Sequence, residues 1–102
     1  MIKTIMLVCS AGMSTSLLVE KMKIAAKEKG MDIDIFAVGV SAADTNLANH
    51  DVDVLMFGPQ VRYLLKDYEK KLADTKIKVK VINMMDYGQI NGKKVLESAL
   101  EE

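Results

Sequence analysis

One cysteine, Cys9, is followed by a segment whose side chains and backbone could surround an anion. Apart from one methionine the segment contains only small or hydroxyl-bearing residues: Ser10, Ala11, Gly12, Met13, Ser14, Thr15 and Ser16. Glycine permits the turns that aim successive backbone N–H groups at one point, and the hydroxyl groups can donate further hydrogen bonds. The pattern predicts a phosphate-binding loop at residues 10–16, directly after a potential nucleophile.

The chemistry of Cys9 depends on the element that follows this loop. Residues from Leu18 onward have the period of an amphipathic helix, so the positive end of the helix dipole would point into the loop. Phosphate binds readily at such a helix start, and the same field favours thiolate over thiol. We therefore predict that Cys9 is catalytic. The alternative is that Cys9 is a buried apolar side chain and Ser14 an ordinary helix cap.

Other kinds of site are not predicted. One cysteine and one histidine provide neither a disulfide nor a zinc-binding set, so we expect no metal. The loop lacks the Gly-Lys pair of nucleotide-binding loops, and no cofactor is expected. Fourteen basic and fourteen acidic side chains cancel, which argues against nucleic acid as a partner. No apolar run approaches the roughly 20 residues that cross a bilayer, so we expect no membrane insertion and a cytoplasmic location.

Apolar runs of strand length alternate along the chain with segments of helical period. Strands are predicted at residues 2–8, 33–38, 52–57 and 77–82, with helices between them and after the last. This alternation predicts an α/β fold: a doubly wound parallel four-stranded sheet with helices on both faces and strand order 2-1-3-4. Because no stretch has linker composition, residues 1–102 are expected to form a single domain.

Two turn segments of the predicted sheet should meet at its carboxyl edge. Cys9 ends the first strand, and the Gly58-Pro59-Gln60 turn ends the third. In the order 2-1-3-4 the connections from these strands leave to opposite faces, and a ligand-binding crevice opens between them. Gln60 and Arg62 are therefore candidate contacts to a bound phosphate or a partner.

The Cys9 loop, the Gly58-Pro59-Gln60 turn, the Asp86-Tyr87-Gly88 segment and the chain length resemble one known family. It is the B component of enzyme II in the bacterial sugar phosphotransferase system, of the lactose and chitobiose/cellobiose type, and the resemblance covers essentially the whole chain. It implies that Cys9 accepts a phosphoryl group from a phosphohistidine of the A component, and that residues 10–16 hold this covalent group. Cys9 would then pass it to a sugar, expected to be a β-linked disaccharide, bound in the membrane-embedded C component. Tyr87 is a further candidate contact to the site or a partner, with packing as the alternative.

The family's fold and loop are also similar to those of low-molecular-weight tyrosine phosphatases, which makes hydrolysis the main alternative. Those enzymes use an arginine after Cys-x5 and an aspartic acid that protonates the leaving oxygen. Here Cys-x5 is followed by Thr15, and the chain's one arginine is Arg62. Neutral donors would hold a phosphoryl group on Cys9 without assisting its hydrolysis. We therefore predict a phosphoryl carrier, with a phosphatase or a non-enzymatic interaction domain as alternatives.

Overall fold

The computed structural model describes residues 2–10 and 15–101. Within these ranges the strands are β1 (Thr4–Cys9), β2 (Asp34–Gly39), β3 (Val54–Phe57) and β4 (Lys78–Val81). The helices are α1 (Ser16–Glu28), α2 (Ala43–Asn49), α3 (Leu65–Lys71), α4 (Met84–Gly88) and α5 (Gly92–Leu100). Short 3₁₀ segments, Val40–Ala42 and Pro59–Leu64, precede α2 and α3. In this part of the chain, no helix combines the length and the apolar character needed to cross a bilayer.

The four described strands form one parallel sheet in the order β2-β1-β3-β4, which confirms the predicted topology. β1 is an interior strand and pairs with β2 from Thr4 to Cys9 and with β3 from Ile5 to Val8. Its residues from Ile5 to Cys9 are all buried, because an interior parallel strand is covered on both faces. This is why the first strand could be recognised as a continuous apolar run.

Alternate residues of β1 point to opposite faces of the sheet and enter separate cores. Ile5 and Leu7 pack with the buried sides of α1 and α5. Met6 and Val8 pack instead with Phe57 and with buried residues of the segments that follow β2 and β3. The connections that leave β1 and β3 therefore cover opposite faces, and the crevice of a doubly wound sheet lies at the carboxyl ends of these two strands.

A short helix, α4, follows β4 and is not predicted by the sequence periodicity. The Oδ1 of Asn83 caps it by accepting hydrogen bonds from the backbone N–H groups of Met85 (2.9 Å) and Asp86 (3.1 Å). Five residues are too few to produce a periodic apolar pattern, so only the cap signals the helix. The consequence for the site is that α4 places Met84 and Tyr87 beside the segment that follows β3.

Candidate active site

Cys9 is the last residue of β1, and its side chain is only 1% exposed. On one side its backbone pairs with Gly39 of β2. On the other side the N–H of Gly58 donates a 2.8 Å hydrogen bond to the carbonyl oxygen of Val8, which extends the pairing of β1 with β3. Cys9 thus ends β1 between the ends of β2 and β3, at the edge where the topology opens its crevice.

Thr15 lies next to the thiol and is completely buried. Its Oγ1 is 3.6 Å from the Sγ of Cys9, within hydrogen-bond distance for sulfur, and either atom could be the donor. Thr15 immediately precedes α1, and its carbonyl oxygen accepts a 2.9 Å hydrogen bond from the N–H of Val19. The positive end of the α1 dipole is therefore close to Cys9, where it favours negative charge on sulfur or on a group bonded to it.

The predicted phosphate-binding loop is described only at its ends. Ser10 follows β1 and is exposed, and Ser16 is the exposed first residue of α1. Thr15 occupies the N-cap position of α1, but its hydroxyl makes no capping hydrogen bond and faces Cys9 instead. Ala11, Gly12, Met13 and Ser14 lie outside the described residues, so their role in holding phosphate stays a prediction.

A cleft of about 470 Å³ lies between the segment after β3 and helix α4. Its lining includes all three residues that the sequence put forward as secondary contacts, Gln60, Arg62 and Tyr87. Tyr63 and Met84 also line it, together with Pro59 and Gly88. Sequence analysis missed Met84, because it belongs to the short helix whose only signal is the Asn83 cap.

Gly58 connects this cleft to the strand that carries Cys9. A methyl group in place of its hydrogen would lie 3.6 Å from the carbonyl oxygen of Val8, 3.5 Å from the Gln60 Oε1 and 3.7 Å from the Tyr87 Cε1. The side chains of Gln60 and Tyr87 therefore both lie close to Gly58, which itself contacts Val8, the residue before Cys9. The inner wall of the cleft borders the carboxyl edge of the sheet.

Exposed apolar side chains cluster at the same edge. Leu17 in the first turn of α1, Tyr63 after β3, and Met84 and Met85 in the first turn of α4 are each more than half exposed. The elements that carry them begin where β1, β3 and β4 end. Of these four, Tyr63 and Met84 line the cleft together, and exposed apolar patches are typical of contact sites for another molecule.

The charged groups at this site are few. Among the described residues, the cleft lining contains one cation, Arg62, and no carboxylate. The same ranges contain no group of three histidine, cysteine, aspartate or glutamate side chains that could hold a metal ion. The described part of the site thus offers a nucleophile, a hydroxyl and a helix dipole, and the described cleft lining contains no carboxylic acid that could assist hydrolysis.

Comparison with known proteins identifies close relatives along nearly the whole chain. Residues 4–98 match the sequence model of the family described as the lactose/cellobiose-specific IIB subunit of the PTS system. The galactose-specific EIIB component of Lactococcus lactis subsp. cremoris is 46% identical over 100 residues, covering 95% of this chain and 93% of that protein. The oligo-beta-mannoside-specific EIIB component of Bacillus subtilis is 44% identical over 98 residues, covering 96% and 93%.

A solved structure agrees with the sequence comparisons. The cellobiose-specific phosphotransferase IIB component from Borrelia burgdorferi superposes with a TM-score of 0.75 at 37% sequence identity. The match covers 96% of this chain and 88% of that one. Both the sequence and the three-dimensional arrangement of the described residues are therefore similar to those of IIB components.

Proposed function

Because this chain belongs to the lactose/cellobiose-specific IIB family of the sugar phosphotransferase system, we propose that its phosphoryl carrier is Cys9. The observation that supports this assignment most directly is the position of the thiol. Cys9 ends β1, and its sulfur lies 3.6 Å from the hydroxyl of Thr15. Helix α1 begins at Ser16, directly after Thr15. These features favour a thiolate and, after transfer, an anionic phosphoryl group.

In the first half-reaction the Cys9 thiolate attacks the phosphorus of a phosphohistidine on the A component. The S–P bond forms opposite the breaking P–N bond, and the imidazole leaves with the electron pair of that bond and takes up a proton. The loop at residues 10–16 supplies hydrogen-bond donors to the phosphoryl oxygens. The Thr15 hydroxyl, which can donate to the thiolate, becomes available to an oxygen of the transferred group.

In the second half-reaction a sugar hydroxyl held by the membrane-embedded C component attacks the same phosphorus. The new O–P bond forms as the S–P bond breaks, Cys9 leaves as thiolate, and the hydroxyl proton passes to the C component or to solvent. The site holds the phosphoryl group covalently and uses no other cofactor. With these partners the transfer takes place at the cytoplasmic face of the membrane.

The proposed acceptor is a β-linked disaccharide or a related sugar. Relatives at similar identity are named for galactose, for oligo-beta-mannosides and for cellobiose, so the family name alone does not select one of them. We therefore propose to test galactose, cellobiose and mannobiose as acceptors and to measure how fast each removes the phosphoryl group from Cys9. The sugar that removes the phosphoryl group from Cys9 fastest identifies the substrate.

A persistent phosphocysteine suits a carrier better than a phosphatase. The position after Cys-x5 is Thr15, which is buried and neutral, and Arg62 lies in the cleft beyond β3. Neither a guanidinium at the Cys-x5 position nor a carboxylate in the described cleft lining is present to assist hydrolysis. We expect the phosphoryl group to stay on Cys9 until an acceptor arrives.

The test measures the intact mass of the chain after incubation with a phosphorylated A component. We expect the mass to increase by one phosphoryl group in the wild type, and no increase in Cys9→Ser or Cys9→Ala. Both substitutions are small enough for the buried site, and circular dichroism checks that the variants fold. An unmodified wild type, or the same adduct in Cys9→Ala, would contradict the proposal.

A further inference from the structure

Asn91 and Gly92, between α4 and α5, form the one Asn-Gly pair of this chain. In such a pair the backbone nitrogen of the glycine can attack the side-chain amide carbon of the asparagine, because no glycine side chain hinders the approach. The attack closes a cyclic imide and releases ammonia. The chain's other asparagines, Asn46, Asn49 and Asn83, precede larger side chains, which hinder this attack.

The folded backbone holds the two reacting groups apart. Asn91 has a ψ of 82°, and at this angle the nitrogen of Gly92 lies nearly opposite the Asn91 Cβ across the Cα–C bond. Ring closure requires these two atoms on the same side of that bond. The Oδ1 of Asn91 is also engaged as the cap of α5, where it accepts a 3.1 Å hydrogen bond from the N–H of Lys94. Attack therefore requires the cap to open and the backbone to rotate.

The segment that contains Asn91 has the features of a region that opens locally. The preceding residue, Ile90, has a positive φ of 53°, and such a conformation in a β-branched residue persists only while the surrounding packing holds it. Helix α4 has five residues, and none of them is buried. Segments with few buried side chains open at a low free energy. The junction between α4 and α5 can therefore open while the sheet stays folded.

We propose that Asn91 is a deamidation site that reacts only when this junction opens. The nitrogen of Gly92 loses its proton to a base and forms a bond to the Cγ of Asn91. The bond from Cγ to Nδ2 breaks, and Nδ2 takes up a proton and leaves as ammonia. Water then opens the imide at either carbonyl carbon. One product is aspartate in an unchanged backbone, and the other is isoaspartate, whose backbone runs through the side chain and is longer by a methylene group.

The two products fit the fold differently. Aspartate caps a helix as well as asparagine does, and its negative charge is favoured at the start of α5. The longer isoaspartyl backbone must displace Gly92, which is buried. A methyl group on Gly92 would already lie 2.5 Å from the carbonyl carbon of Lys21 and 2.6 Å from the nitrogen of Met22, both in α1. The aspartyl chain can therefore restore the native packing of α5 on α1, and the isoaspartyl chain cannot.

The first experiment compares deamidation of the folded chain and of the chain in urea at the same mildly alkaline pH. Peptide mass spectrometry follows the conversion of the Asn91 amide to an acid. We expect the folded chain to react at least about tenfold more slowly, because only the open fraction can close the ring. Asn83 is an internal control, since its side chain also caps a helix but precedes Met84, and it should stay intact in both conditions.

Two valine substitutions locate the opening. Val95 is a buried residue of α5 in the core beside α1, and Val52 is buried in the core on the opposite face of the sheet. Val95→Ala should increase the rate in the folded chain about tenfold, because it weakens the packing that keeps α5 in place. Val52→Ala should leave that rate near the wild-type value. Both variants should match the wild type in urea, and circular dichroism checks that they fold.

A second experiment compares the stabilities of the products. Asn91→Asp reproduces the aspartyl product and should unfold at the wild-type urea concentration. The isoaspartyl chain, separated by chromatography from protein aged in urea and then refolded, should unfold at a lower urea concentration. An isoaspartyl chain as stable as Asn91→Asp would contradict the proposed loss of packing.

The other contrary outcomes concern the rates. Equal rates in the folded chain and in urea would show that the fold does not protect Asn91. An intact Asn91 in urea would show that it is not a deamidation site. Equal acceleration by Val95→Ala and Val52→Ala would place the reaction in the globally unfolded chain. These outcomes are independent of the role proposed for Cys9.

Discussion

The Thr15 Oγ1 lies 3.6 Å from the Cys9 Sγ, and both side chains are buried. The hydroxyl is thus directed at the sulfur and not at the first turn of α1, where a threonine at this position commonly caps the helix. A hydroxyl that donates to sulfur stabilises the thiolate relative to the thiol. Under the proposed function, Thr15 would therefore act on the unphosphorylated chain by stabilising the Cys9 thiolate.

Replacing Thr15 with valine should reduce the reactivity of Cys9. Valine has nearly the same shape but cannot donate a hydrogen bond, which is worth about 1 kcal/mol, or about fivefold in the population of the thiolate. We expect Thr15→Val to alkylate about fivefold more slowly below neutral pH and to shift the alkylation profile to higher pH. Thr15→Ser keeps the donor and should follow the wild type; equal profiles for valine and serine would contradict this role.

Gly92 at the start of α5 should not tolerate a larger side chain. A methyl group there would lie 2.5 Å from the carbonyl carbon of Lys21 and 2.6 Å from the nitrogen of Met22, both backbone atoms of α1. The helices would have to move apart, so Gly92→Ala should lower the free energy of unfolding by about 1–3 kcal/mol. Urea denaturation measures this loss.

Gly88 provides the matched control for this substitution. It also lies in a helix, α4, but a methyl group there would meet no atom within 4 Å. Gly88→Ala should be neutral or slightly stabilising, because alanine restricts the unfolded chain. A comparable loss of stability in both variants would show that helix approach is not the cause.

Ile90 has a positive φ of 53°, which is rare for a β-branched residue. It follows α4 in a Schellman-type turn. The N–H of Ile90 donates to the carbonyl oxygen of Tyr87, and the N–H of Asn91 donates to the carbonyl oxygen of Asp86. The side chain packs against the core on the α1 and α5 side of the sheet. The fold thus retains an apolar side chain at a position whose backbone conformation favours glycine.

Two substitutions separate the packing of Ile90 from its strain. Ile90→Ala and Ile90→Gly both lose the side-chain contacts, but only glycine adopts a positive φ without steric cost. We expect the glycine variant to be more stable than the alanine variant by about 1 kcal/mol in thermal unfolding. Alanine matching or exceeding glycine would mean that the turn can relax to a negative φ.

The Tyr68 hydroxyl donates a 2.8 Å hydrogen bond to Asp44, which joins α3 to α2. Burial, followed by this hydrogen bond and the charge of Asp44, raises the pKa of Tyr68 from 10.0 to about 12. Because the folded-state pKa exceeds the unfolded value, the stabilisation is complete below pH 10.0 and is lost as the pH rises toward about 12.

Tyr68→Phe should therefore reduce stability in a pH-dependent manner. We expect the free energy of unfolding to fall by about 1 kcal/mol at neutral pH, since the hydrogen bond is lost, and the difference from wild type to shrink above pH 10. Chemical denaturation across this pH range measures it. Tyr63→Phe, at an exposed tyrosine, should show no such difference, and a constant gap for Tyr68→Phe at all pH values would contradict the linkage.

The sheet could be derived from the sequence because burial leaves a direct pattern. The run from Ile5 to Val8 is apolar without interruption, as an interior strand requires. The alternation of strands with helices, together with right-handed crossovers, favours the doubly wound order that the structure has. Helix α4 could not be derived in this way. Its five residues carry no period, and it depends on the Asn83 cap and on packing at its end.

The candidate nucleophile likewise follows from sequence alone, since the composition after Cys9 and the position of Thr15 are local features. The surroundings of the nucleophile do not. The Cys9–Thr15 contact, and the meeting of Val8, Gln60 and Tyr87 around Gly58, are decided by tertiary structure. Strand pairing and the placement of α4 bring these distant segments together, and no periodicity in one segment encodes its distance from another.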